Sequence, residues 1–113
     1  MSSSHQPIYW DSLGQSMVGL TAYRIDLPPG TTSWVIANAE SGATDHMFIA
    51  ATAANIADAT NRLYLAPAST LSGVGQTLYV LNGTGGALVS KVTWHRPGRQ
   101  PTNDAGTATF TAI

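Results

Sequence analysis

The sequence predicts an all-β fold: a single antiparallel β-sandwich, jelly-roll or immunoglobulin-like, with about seven strands and an extended N-terminal arm. Three observations support this prediction. Short segments of alternating apolar and polar residues recur at roughly even spacing, with turn-forming residues between them. One pair of these segments flanks a run rich in glycine, which is typical of a hairpin. The chain is also crowded with alanine, threonine, glycine and serine, which suit flat, closely packed β surfaces.

With 113 residues, the chain is long enough for one domain with a modest core. We expect an extended arm at residues 1–14 and the sandwich at residues 15–113. In the arm, a proline precedes Ile8, Tyr9 and Trp10 and favours extended backbone. These side chains either fold back on their own domain or dock on an adjacent subunit, where Tyr and Trp are typical anchors.

The first predicted strand covers residues 17–27, where Tyr23 and Ile25 share one face. A Pro-Pro-Gly sequence ends this strand, because proline cannot continue the hydrogen-bond ladder and glycine permits the turn. The second and third predicted strands cover residues 32–38 and 45–52, and a turn that contains glycine separates them.

The middle of the chain is less regular. Residues 53–61 are rich in alanine but contain one bulky apolar residue, Ile56, so they form either one or two helical turns or an irregular loop. Residues 62–68 predict a short strand, and Pro67 places it at a sheet edge or marks the strand exit. Residues 69–75 predict a loop.

The strongest local signal lies in residues 76–95. Two alternating segments flank residues 82–86, Asn-Gly-Thr-Gly-Gly, which tolerate the positive φ that a hairpin loop needs. The pattern therefore predicts an antiparallel ribbon of two neighbouring strands. A turn-rich connection at residues 96–106 leads to a last strand at residues 107–113, which we expect to pair within a sheet.

Charged side chains are scarce. They make up 10% of the chain, against about 25% in an ordinary soluble domain, and the formal net charge is −1. Such a chain has few charges to keep its surface soluble and monomeric. Because charge depletion is typical of interface cores, we expect neighbouring molecules to cover much of the surface. The alternative is a soluble monomer with a hydroxyl-rich face.

No motif indicates catalysis or metal binding. The chain has no cysteine, which excludes disulfides, thiolate metal sites and cysteine nucleophiles. The histidines lack metal-site spacing, the carboxylates are dispersed, and no nucleophile elbow occurs. No apolar run reaches the roughly 18 residues that span a bilayer, and no basic footprint for nucleic acid is present. We therefore predict no enzymatic activity, no cofactor and no metal, and neither a membrane nor a nucleic acid as partner.

Two pairs of residues are candidates for contact with a partner or ligand. Arg96 and Arg99 belong to a basic cluster that forms either a solvated loop or a contact with an acidic neighbour. Trp34 and Trp94 lie on predicted strands, where they either fill the core between two sheets or stack on a sugar ring.

Over its full length the chain resembles small accessory proteins of tailed-bacteriophage particles: capsid decoration proteins, head-spike bases, and tail or fibre adaptors. The stretches that carry the resemblance are the serines of residues 2–4, HMFIAATAA at residues 46–54, and GTATFTAI at residues 106–113. The resemblance implies a symmetric oligomer that binds a particle surface without catalysis. It carries over no individual binding residue.

We therefore predict a structural virion protein, assembled in the host cytoplasm, whose partners are copies of itself and other virion proteins. Exposed sheet edges and the arm would pack against these neighbours. The predicted contact residues are Ile8, Tyr9 and Trp10 in the arm, with Arg96 and Arg99 in the late loop. The alternative function is a carbohydrate-binding, lectin-like module, for example on a phage fibre, with Trp34 and Trp94 stacking on the glycan.

Overall fold

The computed structural model describes residues 10–97 and 106–113. These residues form nine strands and one short helix, α1, at Ala53–Ala57. The strands are β1 Trp10–Met17, β2 Ala22–Asp26, β3 Ser33–Asn38, β4 Met47–Ala50, β5 Leu63–Leu65, β6 Thr70–Val74, β7 Thr77–Asn82, β8 Leu88–His95 and β9 Thr109–Ala112.

The strands form two antiparallel sheets that pack face to face. One sheet has the order β1-β8-β3-β6, and the other has the order β5-β4-β7-β2-β9. The pairs β1·β8, β2·β7, β3·β6 and β4·β5 are those of one long hairpin that doubles back between β4 and β5 and is then rolled up. This arrangement is a jelly roll, with β9 added beside β2. The prediction of an all-β antiparallel sandwich is confirmed.

The predicted hairpin at residues 76–95 is wrong in its pairing. Both strands exist, as β7 and β8, but β7 pairs with β2 and β4, whereas β8 pairs with β1 and β3. The glycine-rich loop therefore crosses from one sheet to the other. Glycine and asparagine suit a crossing loop as well as a hairpin turn, so the local pattern does not distinguish the two.

Two other segments differ from the prediction. Residues 17–27, predicted as one strand, contain the last residue of β1 and the whole of β2, because the chain changes sheet at residues 18–21. This corner brings Gly19 against Gly85, so closely that a Cβ on Gly19 would lie 2.5 Å from the Gly85 carbonyl oxygen. Residues 69–75, predicted as a loop, contain β6.

Residues 53–61 contain a helix of five residues, so the helical alternative holds for this stretch. The hydroxyl of Thr52 caps the helix by accepting a hydrogen bond from the backbone N–H of Asn55 at 3.1 Å. The helix packs against β4, β7 and β2 and buries Ile56. It therefore covers part of the outer face of the five-stranded sheet.

The boundary expected between arm and sandwich falls inside β1. This strand begins at Trp10 and pairs with β8 along its whole length, from Trp10 opposite His95 to Met17 opposite Leu88. Inward-facing residues of both sheets form one core, in which the largest fully buried side chains include Trp94, Met17, Ile25, Ile36 and Met47.

A buried asparagine joins two of the corner loops. Asn82, the last residue of β7, has no exposed surface. Its Nδ2 donates to the carbonyl oxygens of Met17 at 3.1 Å and Gly86 at 2.9 Å. Its Oδ1 accepts from the N–H of Thr84 at 2.9 Å and from the Thr84 hydroxyl at 2.8 Å. The β1–β2 corner is thereby tied to the β7–β8 corner.

A second buried asparagine, Asn38, has the same role at the end of β3. Its Nδ2 donates to the carbonyl oxygens of Asp45 at 2.8 Å and Leu65 at 3.2 Å. Its Oδ1 accepts from the N–H of Glu40 at 3.1 Å. The β3–β4 corner is thereby tied to the end of β5, so two amides hold the four corners at this end of the sandwich.

Candidate functional site

The two segments predicted to contact a partner meet at one end of the four-stranded sheet. Trp10 and His95 lie opposite each other, and their rings stack with centroids 5.0 Å apart and planes at 28°. Trp10 remains 43% exposed, which is typical of an aromatic anchor at an interface. Ile8, Tyr9 and Arg99 lie outside the described residues, so their contact role stays a prediction.

Arg96 does not lie on the surface, where both sequence interpretations placed it. Only 4% of the residue is exposed, and its Nη2 lies 3.3 Å from Oδ2 of Asp11. Asp11 faces inward because it follows the outward-facing Trp10 in a strand. A guanidinium taken out of water needs such a carboxylate, because an uncompensated buried charge is costly. The ion pair therefore joins β1 to the residue that follows β8.

Trp34 and Trp94 lie opposite each other on β3 and β8 and face the interior. Both indoles are buried, so these two tryptophans fill the core, which is the first of the two sequence interpretations. The Trp34 ring lies directly beneath Gly73, where a Cβ would be 2.3 Å from the ring. Its Nε1 donates to the carbonyl oxygen of Val74 at 3.3 Å. Neither indole presents a face on which a sugar could stack.

The outer face of the four-stranded sheet is nearly free of charge. Lys91 and His95 are its ionisable side chains; the other outward positions carry serine, threonine, glycine, alanine, valine and Trp10. Apart from Lys91, His95 and Trp10, these side chains are short and project little from the sheet. The one helix in the described part of the chain lies on the other sheet.

Sequence reasoning missed a surface cluster on the outer face of β4 and β5. We call His46, Phe48, Arg62 and Tyr64 the aromatic cluster. The rings of His46 and Tyr64 stack at 5.4 Å and 22°, Phe48 meets both edge-on, and the Arg62 guanidinium lies 4.3 Å from the centre of the Phe48 ring. Tyr64 is 58% exposed. The alternating pattern predicts the outward direction of Phe48, but not that β5 would bring Tyr64 opposite it.

A hollow of about 550 Å³ lies beside α1 on the outer face of the five-stranded sheet. Its wall is mostly apolar and includes Leu20 and Ile113, both more than half exposed. Leu20 has a φ of 54°, a left-handed conformation that costs a non-glycine residue roughly 1–2 kcal/mol. Among the described residues of the wall, Arg62 has the one ionisable side chain, so the hollow suits an apolar occupant better than acid–base chemistry.

The described residues offer packing surfaces and lack a cluster of reactive groups. Within residues 10–97 and 106–113, no three His, Asp or Glu side chains come close enough together to hold a metal ion. No helix in the same residues has the length and apolar character needed to cross a bilayer.

Comparison of the chain with protein-family models, curated proteins and solved structures finds no match. Fold and surface chemistry are therefore the basis for a functional proposal.

Proposed function

We propose that this chain is a non-enzymatic structural protein of a virus particle, a phage capsid or tail accessory protein that packs against copies of itself and other virion proteins. The observation that carries the proposal is the outer face of the four-stranded sheet, which has mostly short side chains and two ionisable ones, Lys91 and His95. Jelly rolls recur in viral capsid domains and in lectins, which supports the proposal by analogy of fold.

The physical basis is the low cost of covering such a face. Burying a charged side chain requires a charged partner, whereas alanine and valine can be buried against another sheet at little cost. Serine and threonine each need one hydrogen-bond partner when buried, and a facing hydroxyl or backbone group can supply it. Short side chains also let a second sheet approach to the usual packing distance of about 10 Å. Trp10, half exposed at one corner of this face, would supply the aromatic anchor.

The composition of purified particles tests the virion role. Particles are isolated on a density gradient from a culture that produces the chain, and their proteins are quantified by mass spectrometry. We expect the chain at a fixed ratio to the major particle proteins. We also expect it to be retained at about 1 M salt, since packing contacts with few charges are little screened. Absence of the chain from the particles would refute the proposal.

The aromatic cluster favours a second candidate, carbohydrate binding. Tyr64 exposes an aromatic ring, and Arg62 together with the nearby Asn61 and Asp58 could bind sugar hydroxyl groups. A glycan array tests this candidate: binding that is lost in Tyr64→Ala and kept in Trp10→Ala, a matched exposed aromatic elsewhere, would support it. An array with no bound glycan for the unaltered chain would exclude it.

A further inference from the structure

We infer that the outer edge of β6 is a homodimer contact, at which β6 of a second copy pairs antiparallel about a two-fold axis at Ser72. The inference rests on the proposed function and deepens it by naming the partner, a second copy of this chain. Among the described residues β6 pairs with β3 alone, so one row of its backbone groups has no partner strand. Such an edge is a template for another strand.

The hydrogen bonds at both ends of β6 define which backbone groups point outward. Gly75 N–H donates to the Thr32 carbonyl at 3.2 Å, and Asn38 N–H donates to the Ser69 carbonyl at 2.9 Å. The direction of the backbone hydrogen bonds alternates along an antiparallel strand, so the backbone N–H and C=O groups of residues 69, 71, 73 and 75 point toward β3. The residues whose backbone groups face away from β3 are Thr70, Ser72 and Val74.

Proteins usually protect an exposed edge strand with charge, proline, a bulge or short length. The edge strand of the other sheet on this side, β5, has three residues and is followed closely by Pro67 and preceded by Arg62. In contrast, β6 has five residues, Thr-Leu-Ser-Gly-Val, with neither charge nor proline. Its last residue, Val74, is 81% exposed.

The side chains of β6 are complementary to themselves in this register. A two-fold axis at Ser72 places Leu71 opposite Gly73 of the second copy, and Thr70 opposite Val74 of the second copy. Position 73 has no side chain because the Trp34 ring occupies that space. Leu71 of the second copy would therefore pack beside Gly73 and against the indole, at the mouth of an apolar cavity of about 200 Å³.

The same register satisfies the outward backbone groups. Ser72 pairs with Ser72 of the second copy, and Thr70 of each copy pairs with Val74 of the other. Each of these three pairs exchanges two backbone hydrogen bonds, which makes about six across the axis. The Val74 carbonyl already accepts a 3.3 Å bond from the Trp34 indole, but a carbonyl oxygen can accept two. Because both copies use the same surface, the contact closes as a dimer and joins the two four-stranded sheets into one.

A charge-pair exchange tests the dimer and its register. In T70K/V74K, the two-fold axis brings lysine opposite lysine twice; in T70K/V74E, it brings lysine opposite glutamate twice. The two substituted positions lie about 13 Å apart within one strand, so they do not pair within a copy. The second variant is thus a matched control for the first, and far-ultraviolet circular dichroism checks that both are folded.

We expect the full unaltered chain to be a dimer or a multiple of dimers by light scattering. T70K/V74K should bind itself at least tenfold more weakly, which corresponds to about 1.4 kcal/mol, whereas T70K/V74E should keep the dimer and lose affinity as salt rises. In the unaltered chain, amide hydrogen exchange at residues 70, 72 and 74 should slow with increasing protein concentration.

Different outcomes overturn different statements. Oligomers of unchanged size in T70K/V74K, or exchange at residues 70, 72 and 74 that does not depend on concentration, would overturn the β6 contact and leave the virion proposal standing. Loss of the dimer in both variants would overturn the proposed register. An unaltered chain that stays monomeric up to about 200 µM would overturn the dimer and the self-packing part of the proposed function together.

Discussion

Replacing Asn82 with alanine tests whether one buried amide holds the corners of the jelly roll. The substitution removes four hydrogen bonds, two donated by Nδ2 and two accepted by Oδ1. The Thr84 hydroxyl, whose single hydrogen can go either to Asn82 Oδ1 or to the Gly86 carbonyl at 2.9 Å, then donates to Gly86. The Met17 carbonyl and the Thr84 N–H lose the side-chain partner that Asn82 supplies.

The expected loss follows from these bonds. A buried intramolecular hydrogen bond contributes about 1 kcal/mol net, and a buried group left without a partner costs roughly 1–3 kcal/mol. Two groups lose the Asn82 side chain as partner, and the missing amide also leaves space in a close-packed corner. We therefore expect the free energy of unfolding to fall by about 3 kcal/mol, equivalent to a melting temperature about 12 °C lower for a domain of this size.

Urea titration followed by tryptophan fluorescence measures this loss, because Trp34 and Trp94 are buried in the core. Asn61→Ala is the matched control: its amide makes one hydrogen bond, to Asp58, at the surface, so the change should stay below about 0.5 kcal/mol. A loss for Asn82→Ala below about 1 kcal/mol would refute the idea that this amide holds the two corners.

Three further changes concern other polar groups. Ser90→Ala removes a fully buried hydroxyl that has no hydrogen-bond partner within the described residues, so the free energy of unfolding in urea should rise by about 1 kcal/mol. A decrease would show that the hydroxyl has a partner. Asp11→Ala removes a carboxylate from the buried Arg96 guanidinium and should lower the free energy of unfolding by about 2 kcal/mol, less than for a fully buried pair because the Asp11 side chain is 24% exposed. A melting temperature equal to that of the unaltered chain would show that this ion pair does not stabilise the fold. The hydroxyl and N–H of Thr60 hold the pKa of Asp58 below its ordinary 3.8, so the stabilisation by this carboxylate is complete above pH 3.8 and is lost as the pH falls through the lowered pKa. Thr60→Val should raise the pKa of Asp58 in a carboxyl NMR titration. An unchanged pKa would show that Thr60 does not cause the shift.

The sequence predicts the fold class and most strands, because alternation of apolar and polar residues is a local property. It places Trp34 and Ile36 on one face of β3, and both are buried. It does not predict which strands pair, because residues 82–86 can turn back within one sheet or cross to the other. The pairing is decided by distant groups, such as the Met17 carbonyl that Asn82 reaches.

The strand β6 shows a second limit of prediction from local sequence. Its five residues, Thr-Leu-Ser-Gly-Val, include a glycine that weakens a strand interior, and β3 supplies the pairing that makes the segment a strand. The same limit applies to the candidate surfaces. The direction of Phe48 follows from alternation, whereas the ion pair of Arg96 is formed with Asp11, which lies 85 positions away along the chain, so no local pattern indicates it.

The doubled-back hairpin also has a consequence for the order in which the chain folds. The pair β4·β5 encloses the shortest loop, and each pair further out encloses a longer one, ending with β1·β8. Because closing a longer loop costs more entropy, zippering from the middle outward meets the smallest barrier at each step. The ion pair of Asp11 and Arg96 joins the ends of this outermost pair, so in such an order we expect it to form with the last strand.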